Sequence, residues 1–95
     1  MHKFTTRVEL IGKPAATTYK KLHEAMAEKG FTRFFPDTHA TYVTPEGEYL
    51  SRHNLKTNQV LELAREAAST VWKDFRIFTT ITQERWEYFN LKQLD

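Results

Sequence analysis

The chain contains no cysteine, which excludes disulfide staples and thiolate-ligated metal centres together. Its three glycines stand singly, so no glycine-rich loop is available to cradle a phosphate. No apolar run approaches the roughly 20 residues that span a bilayer, and the N-terminus lacks the basic, apolar and small-residue order of a secretory signal. A cytoplasmic protein with no membrane partner is the expectation. Neither sign of charge dominates, since 14 Lys and Arg against 12 Asp and Glu leave a net +2. Such a small surplus favours anionic partners only weakly, because nucleic-acid binders concentrate basic residues in a stripe.

What the chain does have is aromatic mass: seven Phe, four Tyr and two Trp in 95 residues. That is enough apolar volume for one core and too little chain for two, so residues 1–95 are read as a single domain. In "FTTRVEL", Phe4, Thr6, Val8 and Leu10 alternate with Thr5, Arg7 and Glu9, the period-two pattern of a half-buried strand. From about Ala16 the spacing becomes helical through Tyr19, Leu22 and Met26, and Gly30 supplies a left-handed cap. "FTRFF" and "THATYV" flank Pro36-Asp37 and read as a hairpin. Pro45 to Lys56 shows no sustained period and reads as a long loop. Thr57 is expected to cap a second helix running to about Trp72 on a Val60, Ala64, Ala67, Val71 stripe. "FRIFTTIT" (75–82) alternates again as a strand, and the aromatic tail after it can dock as a short extra strand.

The order βαββαβ predicts a ferredoxin-like α+β fold, with two helices on one face of an antiparallel sheet. The opposite face is then left open, carrying Thr5, Arg7, Glu9, Arg76, Phe78 and Thr80.

Two guanidinium groups and an aromatic ring on one sheet face suit single-stranded RNA, holding phosphate and stacking a base. Glu9 among them repels phosphate unless it holds a cation or moves a proton, which points towards a nuclease. The plain alternative is that Arg7 and Glu9 are solvated charges paired across strands. In the expected loop, Arg52 offers a phosphate contact and His53 a proton carrier, with His39 a second imidazole if the hairpin lies near. His23-Glu24 begins like a helical zinc motif, but the second histidine is replaced by Ala27. His23 is therefore read as a half-buried helix residue. Trp86, Tyr88 and Phe89 are read first as packing residues.

Taken together, "FTTRVEL", "YKKLHEAMAEKGFTR", "PEGEY" and "LKTNQVLELAREAAS" resemble, over about Phe4 to Ile81, the GhoS-type endoribonuclease antitoxins of type V toxin–antitoxin systems. The resemblance implies a ferredoxin-like fold related to the small CRISPR-associated endoribonucleases, and cleavage of the messenger RNA of a membrane-damaging toxin. It also implies that Glu9, at the end of the first strand, occupies the position of the family's acidic site marker, with glutamate standing where the best-known relatives have aspartate. The resulting expectation is an antitoxin-type endoribonuclease acting on single-stranded RNA. Its catalytic candidates are Glu9, as ligand of a Mg2+ ion or as the base, and His53 as the alternative proton carrier, while Arg7, Arg52, Arg76 and Phe78 bind the RNA. A homodimer pairing two such faces is the expected assembly. The rival expectations are a non-catalytic RNA-binding module and a protein-interaction or inhibitor domain on the same fold.

Overall fold

A computed structural model describes residues 1–94. Its elements are β1 (His2–Leu10), α1 (Ala16–Glu28), β2 (Phe31–Thr32), β3 (Phe34–Pro36), β4 (Thr41–Val43), β5 (Glu48–His53), α2 (Thr57–Ser69), β6 (Phe75–Thr82) and β7 (Lys92–Gln93). Four strands form the main antiparallel sheet in the order β2-β5-β1-β6, and β3-β4-β7 form a small second sheet. With α1 and α2 as crossovers, the main sheet has the ferredoxin-like α+β arrangement expected from the sequence.

The inner face of the sheet takes Phe4, Val8 and Leu10 from β1, Phe31 from β2 and Tyr49 from β5. They pack with Leu22 and Met26 of α1 and with Val60, Ala64, Ala67 and Ala68 of α2 in one buried cluster. The alanines of α2 let that helix lie close to the sheet, where larger side chains would hold it away. Gly30 ends α1 at φ +90°, its N–H donating to the Ala27 carbonyl at 3.1 Å, the left-handed cap anticipated for it. The second helix is capped one residue earlier than expected. Lys56 is its N-cap, and the Gln59 side-chain oxygen accepts from the Lys56 N–H at 2.9 Å.

Three expectations are corrected. "FTRFF" and "THATYV" do form a hairpin, Phe34–Pro36 pairing with Thr41–Val43, but it belongs to the small sheet and not the main one, and only Phe31–Thr32 pair with β5. The inferred Pro45–Lys56 loop contains β5, which pairs with β1 over six residues, His2↔His53 to Arg7↔Glu48. Its alternation is hidden because Tyr49, Leu50 and Ser51 are all buried. Such continuous burial arises where a strand is covered on both faces.

That double cover is the third correction, since the outer face is not wholly open. Leu50 stands opposite Thr5 on it and is only 7 % exposed. Trp86, whose indole N–H donates to Thr5 Oγ1 at 3.1 Å, lies over this half. Phe35, Trp86, Tyr88 and Tyr42 build the overlying layer, with ring centroids 4.9 to 6.4 Å apart. β7 completes it by pairing with β4, so the aromatic tail does dock as an extra strand.

Candidate nucleic-acid interface

The uncovered half of the outer face lies over β1 and β6. Register sets Arg7 directly opposite Phe78 and Glu9 directly opposite Arg76, so these four side chains share one side of two adjacent strands. Phe78 is 72 % exposed, unusual for a phenylalanine away from any element that covers it. The four, with Ile77, line a shallow cleft of about 360 Å3. Arg76 Nη1 donates to Glu9 Oε1 at 3.1 Å, both side chains being largely exposed. An exposed pair of this kind contributes about 0 to 1 kcal/mol and exchanges readily for other ligands.

Arg52 lies on the same outer face but towards the other end of β1, opposite Lys3. His53 is one residue further along β5 and points to the inner face. Its Nε2 lies 2.9 Å from the Lys29 carbonyl, and its ring packs 5.1 Å from Phe31 and 6.1 Å from Phe4. The carbonyl can only accept, so Nε2 carries the proton, and the buried Nδ1 has no partner among the described residues. His53 pairs with His2, seven positions along β1 from Glu9, or about 24 Å at ~3.4 Å per residue. Distance and the sheet between them keep Glu9 and His53 from serving one reaction as base and acid. His39 sits exposed in the turn between β3 and β4.

Among the described residues no three His, Cys, Asp or Glu side chains cluster as a metal site. The one carboxylate on which the Mg2+ expectation rests is already paired with Arg76. A lone carboxylate committed to a cation does not fit a resident divalent ion, which wants several oxygen donors.

A run of linked side chains on the inner face is not signalled by the sequence. His23 Nδ1 lies 2.6 Å from the Tyr49 hydroxyl, and His23 Nε2 lies 2.8 Å from Glu46 Oε1. Burial pushes the Tyr49 hydroxyl far above its ordinary range. Tyr49 therefore donates to Nδ1 and leaves the ring proton on Nε2 for Glu46. Burial first, and the nearby Arg33 second, hold the His23 pKa below its ordinary value, with Glu46 opposing them. Tyr49 is only 1 % exposed, so no substrate reaches it, and the linkage ties α1 to β5 and to the segment before it. No spacing rule joins residue 23 to residues 46 and 49; only the half-buried placement of His23 is legible in the sequence.

Comparison with family models, with curated proteins and with solved structures finds no match to this chain. No helix among the described residues is long and apolar enough to cross a membrane.

Proposed function

We propose that this chain acts on single-stranded RNA through the uncovered half of its outer sheet face, as an endoribonuclease of the antitoxin type with Glu9 as the proton-accepting group. The observation that carries the proposal is the cross-strand set Arg7–Phe78 and Glu9–Arg76. Phe78 offers a ring on which a base stacks, a contact worth about 1 to 3 kcal/mol. Arg7 and Arg76 flank it as phosphate donors. When a phosphodiester takes Arg76, Glu9 loses its partner beside the bound ribose. Glu9 then accepts the 2′-hydroxyl proton, the 2′-oxygen attacks phosphorus, and the 5′-oxygen departs with a proton from water. The products are a 2′,3′-cyclic phosphate and a free 5′-hydroxyl. His53 has no part in this route, and Arg52 lies outside its four-residue platform.

A second reading, RNA binding without cleavage, is favoured by the Glu9–Arg76 pair itself, because a carboxylate oxygen that faces a guanidinium is poorly placed to take a proton. The expected homodimer belongs to the same proposal. β6 is an edge strand of the main sheet, and a second copy pairing along it would make the two platforms continuous. Sedimentation equilibrium at twice the monomer mass is the expected result for that assembly.

Labelled single-stranded RNA incubated with the protein and with Glu9→Gln, each with magnesium and with chelator, separates the readings. Cleavage slowed about 100-fold in the variant supports the nuclease. RNA shifted in a gel but intact in every lane supports binding alone, and RNA neither shifted nor cut rejects both.

A further inference from the structure

At the covered end of the same outer face, Lys3 and Arg52 stand directly opposite each other on β1 and β5. Like charges in that position repel, and neither has a carboxylate partner among the described residues. Both rest instead on one ring: Lys3 Nζ is 5.3 Å and the Arg52 guanidinium carbon 5.4 Å from the Trp86 centroid. The ring quadrupole attracts both cations. Trp86 is itself fixed by its hydrogen bond to Thr5 and its edge contact with Phe35. A cleft of about 300 Å3 opens beside this group, with Asp37, Arg85, Glu87 and Tyr88 on its walls. Of its two carboxylates, Glu87 is paired with Arg85 at 3.1 Å, and Asp37 accepts from the Tyr88 hydroxyl at 2.6 Å and keeps its charge, so the three cations Lys3, Arg52 and Arg85 still outnumber them. Two cations held side by side at a cleft with no carboxylate partner of their own make a site for an anion.

We infer that Lys3 and Arg52, clamped on Trp86, form a second phosphate subsite for the RNA that the Arg7–Phe78 platform binds. The inference rests on the RNA reading given above. One strand connects the two sites: Lys3, Thr5, Arg7 and Glu9 all point outward from β1, and Lys3 is four residues, about 14 Å, from Arg7. The RNA strand therefore runs along β1 and over the edge of Trp86, base-stacked at the Phe78 end and held by its backbone at the Lys3 end. Trp86 positions the two cations and leaves base stacking to Phe78.

The test is fluorescence anisotropy with labelled oligouridylates of about four and about ten nucleotides, lengths that bracket a short and a spanning footprint. The native protein is expected to bind the longer probe about tenfold more tightly than the shorter, with a steeper salt dependence. In Lys3→Gln/Arg52→Gln that length advantage disappears, and the salt slope for the long probe falls by about 1.4, at ~0.7 for each phosphate that is no longer neutralised. Lys3→Arg keeps the advantage. Length advantage and slope unchanged in the double variant overturn the subsite and leave the platform standing. Failure of the native protein to bind either probe overturns the RNA reading and the subsite with it.

Discussion

His23 is held in a half-buried polar cluster. Tyr49, Glu46, Arg33 and Tyr19 face it, and burial with Arg33 lowers its pKa from 6.5. A base whose folded pKa lies below its unfolded value binds more protons unfolded. Its contribution to stability is complete above about pH 6.5 and is lost as the pH falls through the lowered folded value. Urea melts at pH 7.5 and pH 5 are expected to show native protein losing more stability on acidification than His23→Gln, which stays neutral. Equal losses in the two proteins would show that His23 titrates freely. Gly47 is constrained differently. Its φ is +81°, and a Cβ there would come 2.5 Å from the Val8 carbonyl oxygen, at the point where Val8 N–H donates to the Gly47 carbonyl. Gly47→Ala combines left-handed strain with a backbone clash, so a loss of at least about 2 kcal/mol, roughly 10 °C in Tm, is expected. A thermal melt within about 2 °C of native, an effect below 1 kcal/mol for a domain of this size, would contradict it.

Among the elements, the small sheet has little pairing of its own. β3, β4 and β7 contribute only two or three residues each, and their layer is joined to the main sheet through Trp86 and its aromatic neighbours. Trp86→Ala should release it: native-state hydrogen exchange is expected to show the β4 amides of Tyr42 and Val43 losing protection while those of Phe4 and Val8 keep theirs. Uniform loss across both sheets would mean that the layers unfold together. The same layering explains what is legible in the sequence. β1, α1, α2 and β6 each cover one face or stripe, so their residues alternate or recur every three to four positions and declare themselves. β5 is covered on both sides, shows no alternation, and reads as loop. The break at Arg33, which sends Phe31 and Phe34 into different sheets, depends on partners that come from β5 and β4 and leaves no local mark. The Arg7, Glu9, Arg76, Phe78 grouping is legible because it needs only two alternating strands and an antiparallel register. The separation of His53 from Glu9 is not legible, because it depends on the position of β5.

Across the whole molecule, a net charge of +2 gives little long-range attraction for RNA, and at ordinary ionic strength fields fade within about 10 Å. Binding then depends on local contacts. On the proposed RNA reading, Arg7 and Arg76 would serve the platform and Lys3 and Arg52 the second subsite, while Arg85 is paired with Glu87. Four phosphate contacts at ~0.7 each give a slope of about −2.8 for single-stranded RNA, or roughly a fiftyfold loss of affinity between 50 and 200 mM salt. On that reading Glu9, paired with Arg76, would work against this attraction until RNA displaced it. Glu9→Gln should consequently bind RNA more tightly than native protein, by severalfold at low salt, even as any cleavage slows about 100-fold. An affinity unchanged or weakened in Glu9→Gln would place the bound phosphate away from the Glu9–Arg76 pair, and the proton-transfer role proposed for Glu9 would fall with it.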